Sequence, residues 1–295
     1  MKIIDSSKIL AHLRCRRYYY YRYVRHWKPE RASIHLEFGQ AWHLMKEAVL
    51  LGTPLDEAYE KFLLHYREFF PETMDEANSP KNPAGAFMGI TSYVEKYGIK
   101  PFDEVLHTEV GGLVPITPDT QATFRIDAIV RHEDKLWVLD HKTGSRLTKQ
   151  WEDQWHLSIQ MFIYIHALEF FYGADNVGGA IIDGTIFRKK DCEHIRVTVP
   201  SRSPSHRALH WSIAHYLDLI DWDHEALENA TEDLLPAFPM NPESCHDFGA
   251  TCPYYDLCRC WECPHMKSNP GGFIEEEWDP LKALEGTKKL ENPYE

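Results

Sequence analysis

Apolar residues recur at helical spacing through the first third of the chain. Residues 5–26 read as a helix, with Ser6 or Ser7 as its N-cap. Residues 36–51 read as a second helix, with Leu36, Leu44 and Val49 among its apolar positions and Gly52 and Pro54 ending it. Segments 55–70 and 84–97 continue the helical region, and PETMDEANSPKNPAG between them reads as a loop. Near residue 103 the period changes to that of strands, predicted over 103–111, 122–131 and 135–143. A helix over 149–172, strands over 178–188 and 193–199, and a helix over 203–229 follow. The segment 236–266 is rich in Cys and Pro and has no period, and the polar tail from Lys267 is expected to be loosely attached. No internal repeat occurs. The mixture predicts one α/β domain over 1–266, with a helical part (1–100), a core (101–200) and a helix plus Cys-rich segment (201–266), followed by a tail over 267–295.

At 295 residues and 43% hydrophobic content the chain has enough apolar material for one sizeable core, and 13% aromatic content argues for a folded protein. The opening MKIIDSSKILAHLRC lacks the apolar run of a secretory signal, and no stretch reaches the roughly 18 apolar residues of a membrane span. A soluble cytoplasmic protein with no membrane partner is expected. The net charge of -13 argues at first against a polyanionic partner, but the charge is uneven. Arg14, Arg16, Arg17, Arg22, Arg25, Lys28 and Arg31 crowd one segment, while Glu275, Glu276, Glu277 and Asp279 lie near the C-terminus. In RCRRYYYYRYVRHW arginine alternates with aromatic residues, so Arg16, Arg17 and Tyr20 are candidates for following phosphates and stacking unpaired bases. A helix that buries its tyrosines and solvates its arginines has the same pattern.

The segment FRIDAIVRHEDKLWVLDHKTG holds the sharpest chemical signal. In a strand alternate residues share a face, so Phe124, Ile126, Ala128 and Val130 face the core and Asp127 points away. After the turn Arg131–Asp134, Asp140 and Lys142 share one face of the next strand and His141 takes the other. Two carboxylates can hold Mg²⁺ or Mn²⁺, and an ammonium beside them can orient a water and offset phosphate charge. Phosphodiester cleavage needs those parts. A surface hairpin with an Asp–Lys ion pair would share the spacing. On the following helix Gln160 and Tyr164 are four apart, and on an earlier one His43 and Glu47 are four apart, with Gly39 a turn before His43 and permitting close packing.

In chain order, Gly39–His43, Asp127, Asp140-His141-Lys142 and Gln160–Tyr164 resemble the PD-(D/E)XK nucleases, and more narrowly the branch with RecB nuclease domains and Cas4. The resemblance spans residues 6–265. It implies a restriction-endonuclease-like core: a central mixed sheet flanked by helices. It implies metal ligation by His43, Asp127 and Asp140, a catalytic role for Lys142, and DNA or active-site contacts from Gln160 and Tyr164. Glu109 sits where the family often has an acidic residue. Relatives often place Gly three residues before the first Asp, where this chain has Phe124. The implied activity is a Mg²⁺- or Mn²⁺-dependent exonuclease on DNA ends or single-stranded DNA. It would be bacterial, or phage-encoded in the host cytoplasm, and would serve recombination, repair or CRISPR spacer processing beside recombination or CRISPR adaptation proteins. A non-catalytic DNA- or partner-binding module and a zinc-containing interaction protein are the competing classes.

Seven cysteines occur, and five of them (Cys245, Cys252, Cys258, Cys260 and Cys263) fall in ESCHDFGATCPYYDLCRCWEC. In a reducing compartment that clustering points to a metal, and spacing alone does not choose between zinc and a [4Fe–4S] cluster. The resemblance implies a [4Fe–4S] cluster joining Cys15 to Cys245, Cys252 and Cys258, with Cys260 or Cys263 as substitutes for Cys245. Cys192 reads as an ordinary thiol.

Overall fold

Asp5, and not Ser6 or Ser7, opens the first helix: its carboxylate accepts the Lys8 N–H at 2.8 Å. The computed structural model describes residues 1–228, 234–247 and 250–290. In chain order the elements are β1 (Lys2–Ile4), α1 (Ser6–Arg14), α2 (Arg16–Tyr19), β2 (Trp27–Pro29), α3 (Ile34–Leu50), α4 (Leu55–Phe69), α5 (Pro83–Tyr97), β3 (Glu104–Thr117), β4 (Thr120–His132) and β5 (Lys135–Gly144). Then come α6 (Lys149–Asp153), α7 (Ile159–Tyr172), β6 (Val177–Phe187), β7 (Cys192–Pro200), α8 (Ser205–Glu228), α9 (Tyr255–Cys260), β8 (Phe273–Glu275) and β9 (Lys288–Lys289).

Two helices expected to be continuous are broken by local backbone chemistry. Cys15 is extended (φ -162°, ψ 114°), which ends α1 and starts α2, and a wider turn over Tyr20–Val24 follows. Ser158 is extended (φ -72°, ψ 124°), and its hydroxyl accepts the Met161 N–H at 3.4 Å to cap α7. A serine that bonds its own downstream backbone favours such a cap over a helix interior. The tail is also better attached than its polarity suggests. Phe273–Glu275 pair antiparallel with Trp27–Pro29, and Trp278 donates its indole N–H to Asp5.

The described residues group into two units. One comprises the described residues within Met1–Arg31, Pro115–Thr123 and Arg207–Ala283, and the other those within Ala32–Val114, Phe124–His206 and Leu284–Leu290. In the first, β1 runs parallel to the start of β4, with Lys2 opposite Thr120.

The second carries the sheet, ordered β7-β6-β5-β4-β3-β9. It is mixed: β4–β5 and β6–β7 are antiparallel, β5–β6 and β3–β9 parallel. α7 lies against β5 and β6, and its apolar residues are buried on all sides, as expected of a helix without a polar face. α3 meets β5, and α5 meets β6 and β7. Together these give an α/β fold with a central mixed sheet flanked by helices. Phe38, Trp42, Phe62, Tyr66, Tyr93 and Phe187 form an aromatic core among α3, α4, α5 and β6. Within it α3 contributes a buried ammonium, Lys46, whose Nζ is 2.9 Å from Asp183 Oδ2 on β6; both side chains are 1% exposed. Burial lowers the Lys46 pKa to about 8 against the opposing pull of Asp183. Tyr93 donates to the same carboxylate at 2.9 Å.

Removing one partner of a buried pair leaves the other charge uncompensated. Asp183→Ala is therefore expected to lower unfolding stability by about 3–5 kcal/mol in urea titration, and Lys46→Met by clearly less. Equal small losses would show that the pair is not paired in solution.

Candidate active site

The hairpin joining β4 and β5 sets the site. Its two turn residues, Glu133 and Asp134, both have left-handed φ (50° and 60°), which suits the twist of a two-residue hairpin. The turn fixes the register, with Ala128 opposite Leu139, so that Asp127 and Asp140 fall across from one another one step further on. There the Asp127 side chain takes over from the strand ladder: Oδ2 accepts the His141 backbone N–H at 2.7 Å. Its Oδ1 is 3.2 Å from His43 Nδ1. On β5 the Lys142 Nζ lies 2.8 Å from Asp140 Oδ2 and donates to Gln160 Oε1 at 3.0 Å. Gln160 Nε2 in turn donates to the Tyr164 hydroxyl at 2.9 Å. The alternation holds as read. His141 points to the opposite face, 3.3 Å from Asp183, and is 1% exposed.

These side chains line an open cavity of about 430 Å³. His43, Asp127, Asp140, Lys142, Gln160 and Tyr164 all reach it, as does Glu109. Gln40, His65 and Arg125 do too, and the sequence reading missed all three. Arg125 and Asp127 are two apart on β4 and so share a face, a signal that was available. Gln40 lies one helical turn before His43, likewise in view. His65 comes from α4, and nothing local in the sequence marks it. Arg125 Nε donates to Glu109 Oε2 at 2.8 Å. Glu109 itself has a φ of 46° within β3, an uncommon conformation for a non-glycine residue. Gly39, by contrast, makes no close approach: a Cβ there would meet nothing within 4 Å.

Electrostatics divides the two carboxylates. Burial pushes the Asp127 pKa up, but His43 and the His141 N–H outweigh it and hold the carboxyl well below its usual range. Burial raises Asp140 as well; Lys142 opposes the shift and neighbouring Asp127 adds to it, leaving its pKa raised. His43 is desolvated, yet Asp127 keeps its pKa raised. Asp140 Oδ2 is buried and lacks a hydrogen bond of good geometry, with Lys142 beside it as a charge.

A carboxylate oxygen left in that state beside a second carboxylate fits a hard cation. Among the described residues no three His, Cys, Asp or Glu side chains form a ready-made cage. Mg²⁺ does not need one, because it keeps several waters and binds through one or two carboxylates. His43, expected as a third ligand, has Nδ1 3.2 Å from Asp127 Oδ1, which fixes both side chains beside the cavity.

The basic N-terminal segment from Arg14 to Lys28 is largely engaged inside its own unit. Arg14 bonds Asp247, Arg16 lies 3.4 Å from buried Asp223, and Arg17 donates to the Phe238 carbonyl at 2.9 Å. Arg22 and Lys28 meet Glu276, and Arg25 reaches the carbonyls of His265 and Lys267. Tyr20 is 1% exposed and Arg17 7%. The expectation that Arg16, Arg17 and Tyr20 grip DNA is therefore corrected: Tyr20 and Arg17 are core, and Arg16 is held by an internal carboxylate.

In the same unit Cys15, Cys245, Cys252 and Cys258 line one cavity of about 180 Å³, together with Tyr18 and Tyr254. Cys260 lines a neighbouring hollow with Arg17 and Trp261. Burial raises the Cys252 thiol and lifts that of Cys258 to about 11.

The central mixed sheet with its flanking helices is consistent with a PD-(D/E)XK core. The family model described as the PD-(D/E)XK nuclease superfamily matches residues 6–259, and the chain belongs to that superfamily. Its members are nucleases that generally use Mg²⁺ or Mn²⁺. A search of curated proteins returned no match. Among solved structures, one titled "Crystal structure of SSO0001" is 12% identical, with 59% of this chain and 74% of that chain covered and a TM-score of 0.29. No helix among the described residues is long and apolar enough to cross a membrane.

Saturating Mn²⁺ is expected to raise the thermal midpoint, since a ligand at 100 times its Kd adds about 2.7 kcal/mol to the native state. Asp127→Asn and Asp140→Asn should each abolish the shift in differential scanning fluorimetry. An undiminished shift in both variants would place the ion elsewhere.

Proposed function

We propose that the chain is a Mg²⁺- or Mn²⁺-dependent deoxyribonuclease acting as an exonuclease on DNA ends or single strands. The observation that carries this reading is the cluster of Asp127, Asp140 and Lys142 at the floor of an open cavity, with Lys142 held between Asp140 and Gln160. Asp127 and Asp140 would hold the ion, which when bound supplies Lewis-acid polarisation of the phosphate and a more acidic water. Asp127 is kept ionised and oriented by His43 and the His141 N–H. The Lys142 ammonium faces the cavity to orient the attacking water and offset phosphate charge. Gln160 fixes that ammonium by accepting from it, and Tyr164 fixes Gln160. A pure binding module would have little use for a second buried carboxylate beside Asp127 whose Oδ2 is met by the Lys142 charge without a well-aligned hydrogen bond.

The same reading assigns a [4Fe–4S] cluster to Cys15, Cys245, Cys252 and Cys258. Four thiols far apart in sequence border one cavity. Four thiolates suit a cluster, and zinc is the competing occupant. The role would be structural, with the domain over 1–266 as the folding unit it closes. Service in recombination, repair or CRISPR spacer processing follows from this activity, in a bacterial cytoplasm or that of a phage-infected cell.

Two assays test the proposal. With Mn²⁺ and end-labelled single- and double-stranded DNA, wild type should shorten the strand stepwise, and Lys142→Ala should slow it by a factor on the order of 10²–10³, the usual effect of losing one transition-state charge partner. Equal cleavage by Lys142→Ala would reject its role, and cleavage by neither protein would reject the enzyme. Anaerobically purified protein should be brown and contain iron and sulfide in equal amounts, and Cys252→Ala should lose both. Colourless protein with stoichiometric zinc would reject the cluster.

A further inference from the structure

The proposed nuclease needs a way to hold the strand it cuts, and the segment that looked basic in sequence does not provide it. Four exposed cations without an ion-pair partner instead lie where β5 and β6 end. The two strands run parallel, with Lys142 opposite Gly184 and Gly144 opposite Ile186. Both therefore leave the sheet on the Lys142 side. β5 continues into Arg146 and Lys149, and β6 into the turn that holds Arg188, Lys189 and Lys190. Arg146, Lys149, Lys189 and Lys190 are exposed, and none has an ion-pair partner among the described residues. Arg188 differs, because Asp191 and Glu193 engage it.

The path from β5 onto α6 is fixed, and it lies on the face of Lys142. Gly144 and Gly184 share that face, and Trp151 of α6 rests on them: a Cβ at Gly184 would stand 2.3 Å from the Trp151 ring, and one at Gly144 3.3 Å from its indole nitrogen. Trp155 stacks edge-on against Trp151, with ring centroids 5.4 Å apart, and its own ring lies 5.8 Å from Lys142 Nζ. The two glycines thus let α6 drop onto the strand ends beside the catalytic lysine, carrying Lys149 with it. From the level of Gly184 to Lys189 is five residues, about 16 Å of extended chain and several nucleotides of a stacked strand. The acids on this stretch that lack a cation partner are Glu152 and Asp153 of α6. On the far side of β5, Lys81 is 6% exposed and donates only a long bond, 3.4 Å, to Thr143 Oγ1.

We propose that Arg146, Lys149, Lys189 and Lys190 form a phosphate track that carries a single DNA strand to or from the Lys142 centre. It rests on the nuclease reading and supplies the grip that reading lacks. The cations act as a charge rail and not as base readers, since long exposed side chains without partners fix no base edge. On a chain of net charge -13 such a local excess also decides where a polyanion lands.

The test is binding of a fluorescently labelled single-stranded oligonucleotide to the full chain in EDTA, over graded salt. For single strands the slope of log K against log salt is about -0.7 per neutralised phosphate. Arg146→Ala with Lys149→Ala should flatten it by about 1.4, as should Lys189→Ala with Lys190→Ala, and all four together by about 2.8. A control pair, Lys61→Ala with Lys100→Ala, removes as much charge from exposed sites elsewhere in the same unit and should leave the slope unchanged. A quadruple variant with the wild-type slope, or a control pair with an equal loss, overturns the track. If wild type still cleaves DNA in that case, only the track has failed. If wild type neither binds nor cleaves, the nuclease reading fails and the track with it.

Discussion

Two carboxylates meet on neighbouring strands, out of water, and the rest of the site is arranged around that meeting. Asp127 and Asp140 would repel each other too strongly for both to be ionised without help. The fold supplies unequal help. Asp127 receives a backbone N–H and a histidine, whereas Asp140 has chiefly the Lys142 charge, 2.8 Å from an oxygen that lacks a well-aligned hydrogen bond. A divalent cation would relieve both demands at once, so the pair is a poor structural element by itself and a good ligand set. Lys142 belongs to the same balance. Its ammonium is steadied by Gln160 and Tyr164 of α7, so its charge stays beside the carboxylates instead of swinging into solvent.

Much of this was legible because it is local. Alternation along FRIDAIV and LWVLDHK placed Asp127, Asp140 and Lys142 on one face and His141 on the other, and helical spacing paired Gln160 with Tyr164. Four of the five predicted strands and most helices fell within a few residues of their predicted bounds for the same reason, whereas β3 runs on to Thr117 and the short strands β1, β2, β8 and β9 were not foreseen. Single-residue decisions were not legible. Cys15 and Ser158 each take an extended conformation that splits an expected helix, and neither residue type dictates that alone. Arg125 and Gln40 carried a readable signal and were passed over; His65 carried none, because α4 reaches the cavity only through tertiary packing.

The clearest failure of local reading concerns charge. Arg14, Arg17 and Arg22 look like a nucleic-acid patch because their partners lie 221 to 254 residues away in sequence. Asp247, the Phe238 carbonyl and Glu276 consume them, so a run of arginine and tyrosine that resembles a binding surface is the inside of a folded unit. Four exposed cations without an ion-pair partner, Arg146, Lys149, Lys189 and Lys190, are scattered through sequence, and the parallel pairing of β5 with β6 gathers them at one end of the sheet. The distant cysteines make the same point. Cys15 and the group 245–258 are brought to one cavity by the fold, and a link between them would close a loop whose entropic cost grows only slowly with length.

The account stands on Asp127 and Asp140 sharing one divalent ion. Crystals soaked in Mn²⁺ and measured at the manganese absorption edge examine that directly. An anomalous peak about 2.0–2.3 Å from an oxygen of each carboxylate is the predicted result, within the range of hard-cation ligation. A peak bound by neither, or by residues outside this cavity, would contradict it.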